Sequence, residues 1–252
     1  MITAGIDMGS KNIKVVIVND NKILSKASAL GGFDPKGAAE RAFNEALKGA
    51  KLTKNDIEQI IATGAGVEMA PYATNRVSMV GAMAKGAAYY FPSARTVIDV
   101  GAEDARVARC DEKGSMLDFV VNDRCAAGAG AFIEAMSRAL EVKLEEMGPL
   151  SLKSEKAVAM NAQCAVFGES EVVTLVHAKT SKADIARAIF DAMAERIASL
   201  TRRLGVNLDV VVIGGVAKDV GFVDALKRKL GADVLIPEGP EYAGAIGAAL
   251  SH

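Results

Sequence analysis

Residues 5–10 read Gly-Ile-Asp-Met-Gly-Ser, and residues 97–102 read Val-Ile-Asp-Val-Gly-Ala. Both stretches are apolar runs that end in Asp-x-Gly, a pattern typical of a buried strand followed by a tight turn. Each continues into further strand-like segments, so the chain carries a weak internal repeat. A repeated unit of this size predicts two similar lobes with a cleft between them. We expect the boundary between the lobes near residues 91–93.

Segments of strand and helix character surround both turns. A helix is predicted over residues 35–50, where Ala39, Phe43 and Leu47 recur every four residues. Apolar residues recur at steps of three and four between Ala183 and Leu204, which predicts a long amphipathic helix. Further helices are expected at 78–90, 222–230 and 241–250, and further strands at 13–19, 23–30, 57–66, 95–104, 105–114, 116–123, 208–217 and 232–237.

Composition excludes several classes of protein. Half of the 252 residues are hydrophobic and only 5% are aromatic, so an aliphatic core is expected. The net charge of −1, from 30 basic and 31 acidic residues, gives no reason to expect nucleic acid or an anionic membrane as a partner. No apolar run is long enough to span a bilayer, and no signal peptide is recognisable. A cytoplasmic location is therefore expected, and three cysteines do not suggest a disulfide framework.

An Asp-x-Gly turn at the end of a strand places a carboxylate beside several backbone N–H groups. The N–H groups can hydrogen-bond phosphate oxygens, and the carboxylate can hold Mg²⁺ through water. One such turn is a common structural feature without a ligand, whereas two at matching places indicate a polyphosphate clamp. Gly214 and Gly215 form a third turn, where the missing β-carbons admit a ribose or a flat ring. The sequence has neither a P-loop nor a complete G-x-G-x-x-G after a strand.

Two of the cysteines precede predicted helices. Cys125 stands before Ala-Ala-Gly-Ala-Gly, and Cys164 stands before Ala-Val-Phe-Gly. A helix N-terminus favours a thiolate, because free N–H groups and the helix dipole stabilise negative charge. These cysteines are either small core residues or metal ligands, and two thiolates do not complete a tetrahedral zinc site or a four-iron cluster. A second subunit with another pair would complete it, whereas Cys110 is expected to be an inert core residue.

The chain resembles the ATP-dependent activator and reductase family that serves 2-hydroxyacyl-CoA dehydratases and benzoyl-CoA reductases. The family belongs to the acetate kinase/sugar kinase/Hsp70/actin superfamily. The resemblance runs nearly end to end, and its most specific part is the pair of cysteine motifs. The stretches that carry it are GIDMGSKNIKVVIV, ATGAG, TVIDVGAEDARV, NDRCAAGAGAFIEAM, CAVFGESEVV, VVVIGGVAKDVGFVDAL and YAGAIGAAL.

This resemblance implies an α/β fold of two lobes with duplicated ribonuclease H-like subdomains. The N-terminal lobe would span residues 1–91 and be completed by a C-terminal helix at 241–252, and the second lobe would span 92–240. The resemblance also implies a dimer with one [4Fe-4S] cluster, held by Cys125 and Cys164 of each subunit, and ATP/ADP with Mg²⁺ in the cleft. The cluster would deliver an electron, received from ferredoxin or flavodoxin, to an iron–sulfur acyl-CoA dehydratase or reductase.

Site residues follow from the positions that match the family's motifs. The first phosphate loop corresponds to Asp7, Gly9, Ser10 and Lys14, and the second to Asp99, Gly101 and Asp104. Asp7 and Asp99 would orient Mg²⁺ and its waters, and Asp104 or Glu103 would position the attacking water. The adenosine turn corresponds to Gly214, Gly215 and Val216, with Gly244 nearby, and Gly128 and Gly130 mark the place where the cluster helix meets the cleft.

Some positions depart from the family pattern and leave alternatives open. The second loop reads Gly-Ala-Glu-Asp at 101–104, where dehydratase activators commonly have Gly-Gly-Gln-Asp. This loop and the C-terminal helix look more like a nucleotide-binding component of a benzoyl-CoA reductase, so a homodimer and a pair of close paralogues both stay open. The alternatives outside this function are a small-molecule kinase of the same superfamily and a nucleotide-binding regulatory scaffold.

Overall fold

The computed structural model describes residues 1–122, 129–160 and 164–252. Within these ranges the chain forms nine strands and eight α-helices. The strands are β1 (Ile2–Met8), β2 (Asn12–Asn19), β3 (Lys22–Leu30), β4 (Gln59–Thr63), β5 (Asn75–Arg76), β6 (Thr96–Val100), β7 (Ala105–Cys110), β8 (Met116–Asn122) and β9 (Val210–Ile213). The helices are α1 (Pro35–Ala50), α2 (Met79–Tyr90), α3 (Gly130–Ala139), α4 (Leu144–Ser151), α5 (Ala165–His177), α6 (Lys182–Leu204), α7 (Val220–Leu230) and α8 (Ala243–Ala249).

The first sheet places β1 at its centre, in the order β3-β2-β1-β4-β5. β2 runs antiparallel to β1, and β4 runs parallel to it. Alternate residues of β1 face a core that α1 covers, in which Ile6 and Phe43 are fully buried. α1 begins where it does because the Asp34 carboxylate accepts a hydrogen bond from the Gly37 N–H at 2.9 Å. Asp7 therefore lies at the carboxyl end of a central, covered strand.

The second sheet repeats this arrangement in the order β8-β7-β6-β9. β6 takes the place of β1, with β7 as its antiparallel neighbour and β9 as its parallel neighbour. The repeat extends to single residues, because Asp7 pairs with Lys14 across β1 and β2 while Asp99 pairs with Arg106 across β6 and β7. The duplication expected from the two Asp-x-Gly stretches is thus present in strand order and in register.

Helices α2 and α8 pack against each other between the two sheets. The buried face of α2 contacts the second sheet, whereas α8 lies against β1, β2 and β4 of the first sheet. The two helices approach closely because Gly86 and Gly247 lack β-carbons, which would overlap carbonyl oxygens of the opposite helix. The division into a lobe of residues 1–91 with 241–252 and a lobe of residues 92–240 stays a prediction.

Two of the differences from the secondary structure expected from the sequence have a clear physical reason. The strand predicted at 232–237 is wrong, because only Leu235 forms a bridge, to Val211 of β9. Pro237 follows two residues later and has no N–H with which to extend the pairing. Helix α4 was not expected, since it contains Pro149. It forms because its buried face, including Met147, packs against α6 and α7.

The long helix expected at 183–204 is confirmed as α6. It begins where the Ser181 hydroxyl accepts a hydrogen bond from the Asp184 N–H at 3.1 Å. Its apolar face fills the core beneath the second sheet, which explains its periodicity. Of the helices in the described ranges, none is long and apolar enough to span a membrane.

Replacing Asp184 with asparagine is expected to destabilise the protein at neutral pH but not in strong acid. The Asp184 carboxylate accepts hydrogen bonds from the Ser154 hydroxyl and from the N–H groups of Glu155 and Lys156, at 2.8 to 3.0 Å. These bonds, with that from Lys156 first, lower the pKa of Asp184 to about 2. Because an unfolded aspartate titrates near pH ~4, the stabilisation is complete above that value and is lost as pH falls towards ~2.

Chemical denaturation of the wild type and D184N at about pH 7 and about pH 2 measures this effect. The difference in unfolding free energy should be present at the higher pH and nearly absent at the lower one. Equal differences at both pH values would show that the carboxylate charge does not matter. Because the Asp184 side chain anchors residues 154–156, it also fixes the segment that leads towards Cys164.

Candidate functional site

A cavity of about 740 Å³ lies between the two sheets, where the turns after β1, β6 and β9 meet. The two repeats place these turns opposite each other, because β1 and β6 have equivalent positions in their sheets. The cavity therefore has carboxylates from both halves of the chain on facing walls. The predicted site residues that line it are Asp7, Gly9, Ser10, Lys14, Asp99, Gly101, Asp104, Gly130, Gly214, Gly215, Val216 and Gly244.

The first wall is built around Asp7. Its Oδ2 accepts a hydrogen bond from Nζ of Lys14 at 3.2 Å, and both side chains are largely buried. Gly64 follows β4 with a φ of +101°, and a β-carbon there would stand 2.7 Å from Oδ1 of Asp7. The close approach of β4 thus requires glycine at this position. Asp7 therefore has a cation on one side and the close backbone of Gly64 on the other.

The second wall repeats this pattern with a more deeply buried cation. Oδ2 of Asp99 lies 3.5 Å from a guanidinium nitrogen of Arg106, which also forms an ion pair with Asp104. Burial raises the pKa of Asp99 to about 6, against the attraction of Arg106 and with some repulsion from Asp7. The carboxylates of Asp7 and Asp99 therefore repel each other across the cavity. A divalent cation between them would relieve both the burial cost and the repulsion.

Arg106 is a site residue that sequence reasoning missed. It lines the cavity, is 7% exposed, and joins the two aspartates of the second turn. The internal repeat contained the signal, because Arg106 follows Asp99 by the same interval at which Lys14 follows Asp7. The antiparallel pairing after each turn brings these two positions opposite each other. Each half thus places a cation beside the aspartate at the end of its central strand.

The third wall is the glycine turn after β9. Gly214 has a φ of +89°, and a β-carbon there would clash with the Val100 carbonyl oxygen. Its N–H donates a hydrogen bond to the Pro240 carbonyl at 3.0 Å, which fixes the loop before α8 beside the turn. Gly215 has open space where a β-carbon would stand. This wall leaves room for a sugar or a flat ring.

Helix α3 is attached to both aspartate turns. The N–H groups of Gly130 and Ala131 donate hydrogen bonds to the carbonyls of Gly101 and Ala102, at 2.9 and 2.8 Å. One turn further along α3, Glu134 forms an ion pair with Lys11 of the first turn. A change at either turn therefore acts directly on α3. This helix begins two residues after the segment 123–128, which contains Cys125.

Some predicted residues do not meet in the cavity. Glu103 is exposed and is not part of the lining, which leaves Asp104 as the acidic residue of that turn at the cavity. Cys125 and Gly128 lie outside the described residues. Cys164 is half-buried at the N-cap of α5, away from the cavity lining. Among residues 1–122, 129–160 and 164–252, no group of three or more His, Cys, Asp or Glu forms a metal site.

Cys110 behaves as the sequence suggested. Its side chain is buried beneath the second sheet, and its Sγ donates a hydrogen bond to the Ala94 carbonyl at 3.4 Å. Burial raises the pKa of the Cys110 thiol, which disfavours the thiolate that reactions and metal binding need. Cys110 is therefore a core residue.

Two facing aspartate turns, a glycine turn and an intervening cavity define a nucleotide-binding protein of the two-lobed actin and sugar-kinase type. A ROK-family glucokinase from Streptomyces griseus shares this fold, with a TM-score of 0.58 at 18% identity over 99% of this chain and 98% of the kinase. That level of identity shows the fold alone. The fold class predicted from the sequence is confirmed.

The chain belongs to the BadF/BadG/BcrA/BcrD ATPase family, whose model matches residues 4–251. Component A of (R)-2-hydroxyglutaryl-CoA dehydratase from Acidaminococcus fermentans is similar over 99% of this chain and 96% of its own, with 37% identity and a TM-score of 0.94. The activator of 2-hydroxyisocaproyl-CoA dehydratase from Clostridium difficile, solved with bound ADPNP, is 34% identical over 99% and 93% of the two chains, with a TM-score of 0.93. One of the subunits of benzoyl-CoA reductase from Thauera aromatica is 34% identical over 99% of this chain and 92% of its own.

These similarities confirm the family expected from the sequence motifs. They also confirm that the protein is an ATPase and that it binds a nucleotide. The cavity between the two aspartate turns is the one place among the described residues where all three predicted nucleotide loops meet.

Proposed function

We propose that the protein is an ATP-dependent activator of an iron–sulfur 2-hydroxyacyl-CoA dehydratase. In this proposal, ATP hydrolysis between the aspartate turns drives transfer of one low-potential electron from a [4Fe-4S] cluster to the dehydratase. The observation that carries it is the attachment of α3 to both turns, since α3 directly follows the segment that contains Cys125. Similarity to two dehydratase activators along nearly the whole chain supports the same function.

The nucleotide site fits Mg²⁺ with ATP. Asp7 and Asp99 would hold Mg²⁺ through water, which suits a cation that keeps several waters and binds through one or two carboxylates plus phosphates. Lys14 and Arg106 lie beside these carboxylates and would balance the charge of the phosphates. Asp104, at the cavity beside Arg106, would position the attacking water.

The cluster would be held by Cys125 and Cys164 of each of two subunits. Cys164 suits a ligand role, because it is a free, half-buried thiol at the N-terminus of α5, where no side chain caps the helix. A bound cluster would supply an electron of low potential. In this proposal, the segment before α3 and the N-terminus of α5 would hold the cluster, and α3 and α5 would connect it to the nucleotide.

A second subunit would cover the exposed apolar side of α5. Val166 and Phe167 directly follow Cys164 and are 71% and 68% exposed, and Val173 and Val176 lie further along the helix with nearly half of their surface exposed. Apolar side chains at this density are unusual on the surface of a monomer and indicate an interface. Because the face begins at Cys164, the partner that covers it would also meet the cluster position. A homodimer is the simplest form, and a close paralogue is the alternative.

Nucleotide-driven movement of α3 would reach α5 through direct packing. Gly168 of α5 lies against Phe132 and Met136 of α3, where a β-carbon would stand 3.1 Å from both side chains. Such close packing transmits a shift of one helix to the other. The N-termini of α3 and α5 are therefore both linked to the turns that would hold the phosphates. ATP binding and hydrolysis would bias two arrangements of these helices.

The electron donor in this proposal is ferredoxin or flavodoxin, and the protein works in the cytoplasm. A role as the nucleotide-binding component of a benzoyl-CoA reductase is the nearest alternative, in view of the similarity to the protein from Thauera aromatica. The cavity residues are the same in both cases, since the acyl-CoA substrate would bind to the partner enzyme.

The test is activation of a purified dehydratase under anaerobic conditions. The protein is expected to contain about four irons per dimer and to start dehydration when ATP, Mg²⁺ and reduced ferredoxin are present. The non-hydrolysable analogue ADPNP should bind but should not sustain activation. The (R)-2-hydroxyglutaryl-CoA dehydratase whose component A this chain resembles is a suitable partner. An iron-free protein that hydrolyses ATP without activating a dehydratase would contradict the proposal and favour a kinase or a regulatory scaffold.

A further inference from the structure

An ion pair between Lys11 and Glu134 joins the two sides of the nucleotide cavity. Lys11 belongs to the turn after β1, and Glu134 belongs to α3, whose first N–H groups are bonded to the turn after β6. Both residues line the cavity, and their side chains are 45% and 31% exposed. The Lys11 ammonium therefore lies between the first aspartate turn and the helix attached to the second, where a ligand in the cavity can reach it.

This pair differs from the cation–aspartate pairs at the strand ends. Lys14 and Asp7 are only 16% and 17% exposed and lie on neighbouring strands of one sheet. The pair of Lys11 and Glu134 is more exposed and joins separate segments, and such a pair contributes little to stability. A terminal phosphate carries more negative charge than a carboxylate and presents three acceptor oxygens. It would therefore compete with Glu134 for the flexible lysine side chain.

The position of the glycine turn indicates which phosphate reaches Lys11. Gly214 adjoins Val100 and Asp99 of the second half, where a β-carbon would stand 2.4 Å and 2.5 Å from their oxygens. A nucleotide with its sugar at this turn extends its phosphates past Asp99 towards the first half. Lys11 of the first turn would then meet the far end of the phosphate chain, which a diphosphate lacks.

We propose that Lys11 distinguishes a nucleoside triphosphate from a diphosphate by leaving Glu134 and binding the terminal phosphate. This inference rests on the proposed nucleotide function and assigns a specificity determinant within that site. With a diphosphate bound, Lys11 stays paired with Glu134. Because Glu134 belongs to α3, the exchange also removes the tie between α3 and the first turn. The hydrogen bonds from the N–H groups of Gly130 and Ala131 keep α3 on the second turn.

The experiment measures the binding of ADPNP and ADP, each with Mg²⁺, to anaerobically purified protein by calorimetry. Lys11→Met keeps the length of the side chain without its charge, and it should weaken ADPNP binding by roughly 10-fold and leave ADP binding nearly unchanged. Glu134→Gln removes the competing charge and should strengthen ADPNP binding by roughly 2- to 5-fold, again with little effect on ADP.

A double variant and a matched control separate competition from general damage. Glu134→Gln should no longer affect ADPNP binding once Lys11 is replaced by methionine, because no ammonium is left to release. Lys227→Met is the control, since Lys227 is 42% exposed and pairs with Asp233 at 3.1 Å outside the cavity lining. This variant should keep the wild-type ratio of the two affinities.

Several results would overturn the assignment. K11M with an unchanged ratio of ADPNP to ADP affinity would show that Lys11 does not read the terminal phosphate. E134Q with weaker ADPNP binding would show that the ion pair closes the site over the nucleotide. Equal strengthening of both nucleotides in E134Q would show only the general loss of a negative charge. Failure of the activator function is recognised separately, because a protein that binds both nucleotides with this preference but does not activate a dehydratase contradicts that function alone.

Discussion

Replacing Asp99 with asparagine is expected to lower ATP hydrolysis by at least about 100-fold, because one of the two carboxylates that face the phosphates is lost. Asp99 lies at the end of β6, opposite Asp7 and beside Arg106. Asparagine retains the shape of the side chain but carries no charge to hold Mg²⁺ and its waters. Hydrolysis measured at saturating ATP separates this loss from weaker binding.

Asp118→Asn provides the matched control for this variant. Asp118 is exposed on β8, pairs with Arg109 at 3.4 Å, and does not line the cavity. D118N should hydrolyse ATP at the wild-type rate. A D99N variant with nearly full activity would mean that Asp7 alone suffices, and the clamp of two carboxylates would be wrong.

Because the pKa of Asp99 is raised, D99N should also change how stability depends on pH when Mg²⁺ and nucleotide are absent. Burial raises this pKa to about 6, whereas an unfolded aspartate titrates near ~4. Ionising Asp99 therefore costs folding free energy, and the cost grows as pH rises from about 4 to about 6. Thermal unfolding of the wild type should show this pH-dependent loss of stability. D99N should lack that contribution. If the stability of D99N depends on pH in the same way as that of the wild type, the raised pKa of Asp99 is contradicted.

Replacing Cys164 with serine is expected to reduce the bound iron to background and to abolish activation of the dehydratase. Serine is nearly the same size but provides no thiolate for iron. ATP binding should persist, because Cys164 is not part of the cavity lining. Iron and acid-labile sulfide analysis of anaerobically purified protein, together with nucleotide binding, measures both effects. Retention of iron in C164S would show that other residues bind the iron and would contradict a cluster held by Cys164 of both subunits.

Cys110→Ala is the control that the chain itself offers. Cys110 is buried beneath the second sheet with its thiol bonded to the Ala94 carbonyl. Its replacement removes a small core side chain and should lower stability modestly while leaving the iron content unchanged. Loss of iron in both variants would indicate general damage rather than loss of a ligand.

Much of the nucleotide site was predictable because its residues follow strands at regular offsets. The Asp-x-Gly turns at Asp7 and Asp99 and the turn at Gly214 are local patterns, and the structure brings all three to one cavity. Arg106 was missed because its role depends on the register between β6 and β7. Glu103 belongs to the motif that resembles the family's second phosphate loop, yet of Glu103 and Asp104 only Asp104 lines the cavity.

Other features could not be predicted because they depend on contacts between distant segments. Helix α4 contains Pro149 and forms through burial against α6 and α7, which its own sequence does not reveal. The ion pair between Lys11 and Glu134 joins residues more than one hundred positions apart.

The sequence by itself determined most of the strands and helices, the two Asp-x-Gly turns, the glycine turn and the family, since these depend on short-range periodicity and local motifs. Only the tertiary structure decided how the halves face each other, which cations accompany Asp7 and Asp99, and how α3 is tied to both turns. The raised pKa of Asp99 was likewise decided only by the tertiary structure. Burial, charge interaction and hydrogen bonding across the cleft depend on distances of a few ångströms between segments remote in sequence, and folding alone sets those distances.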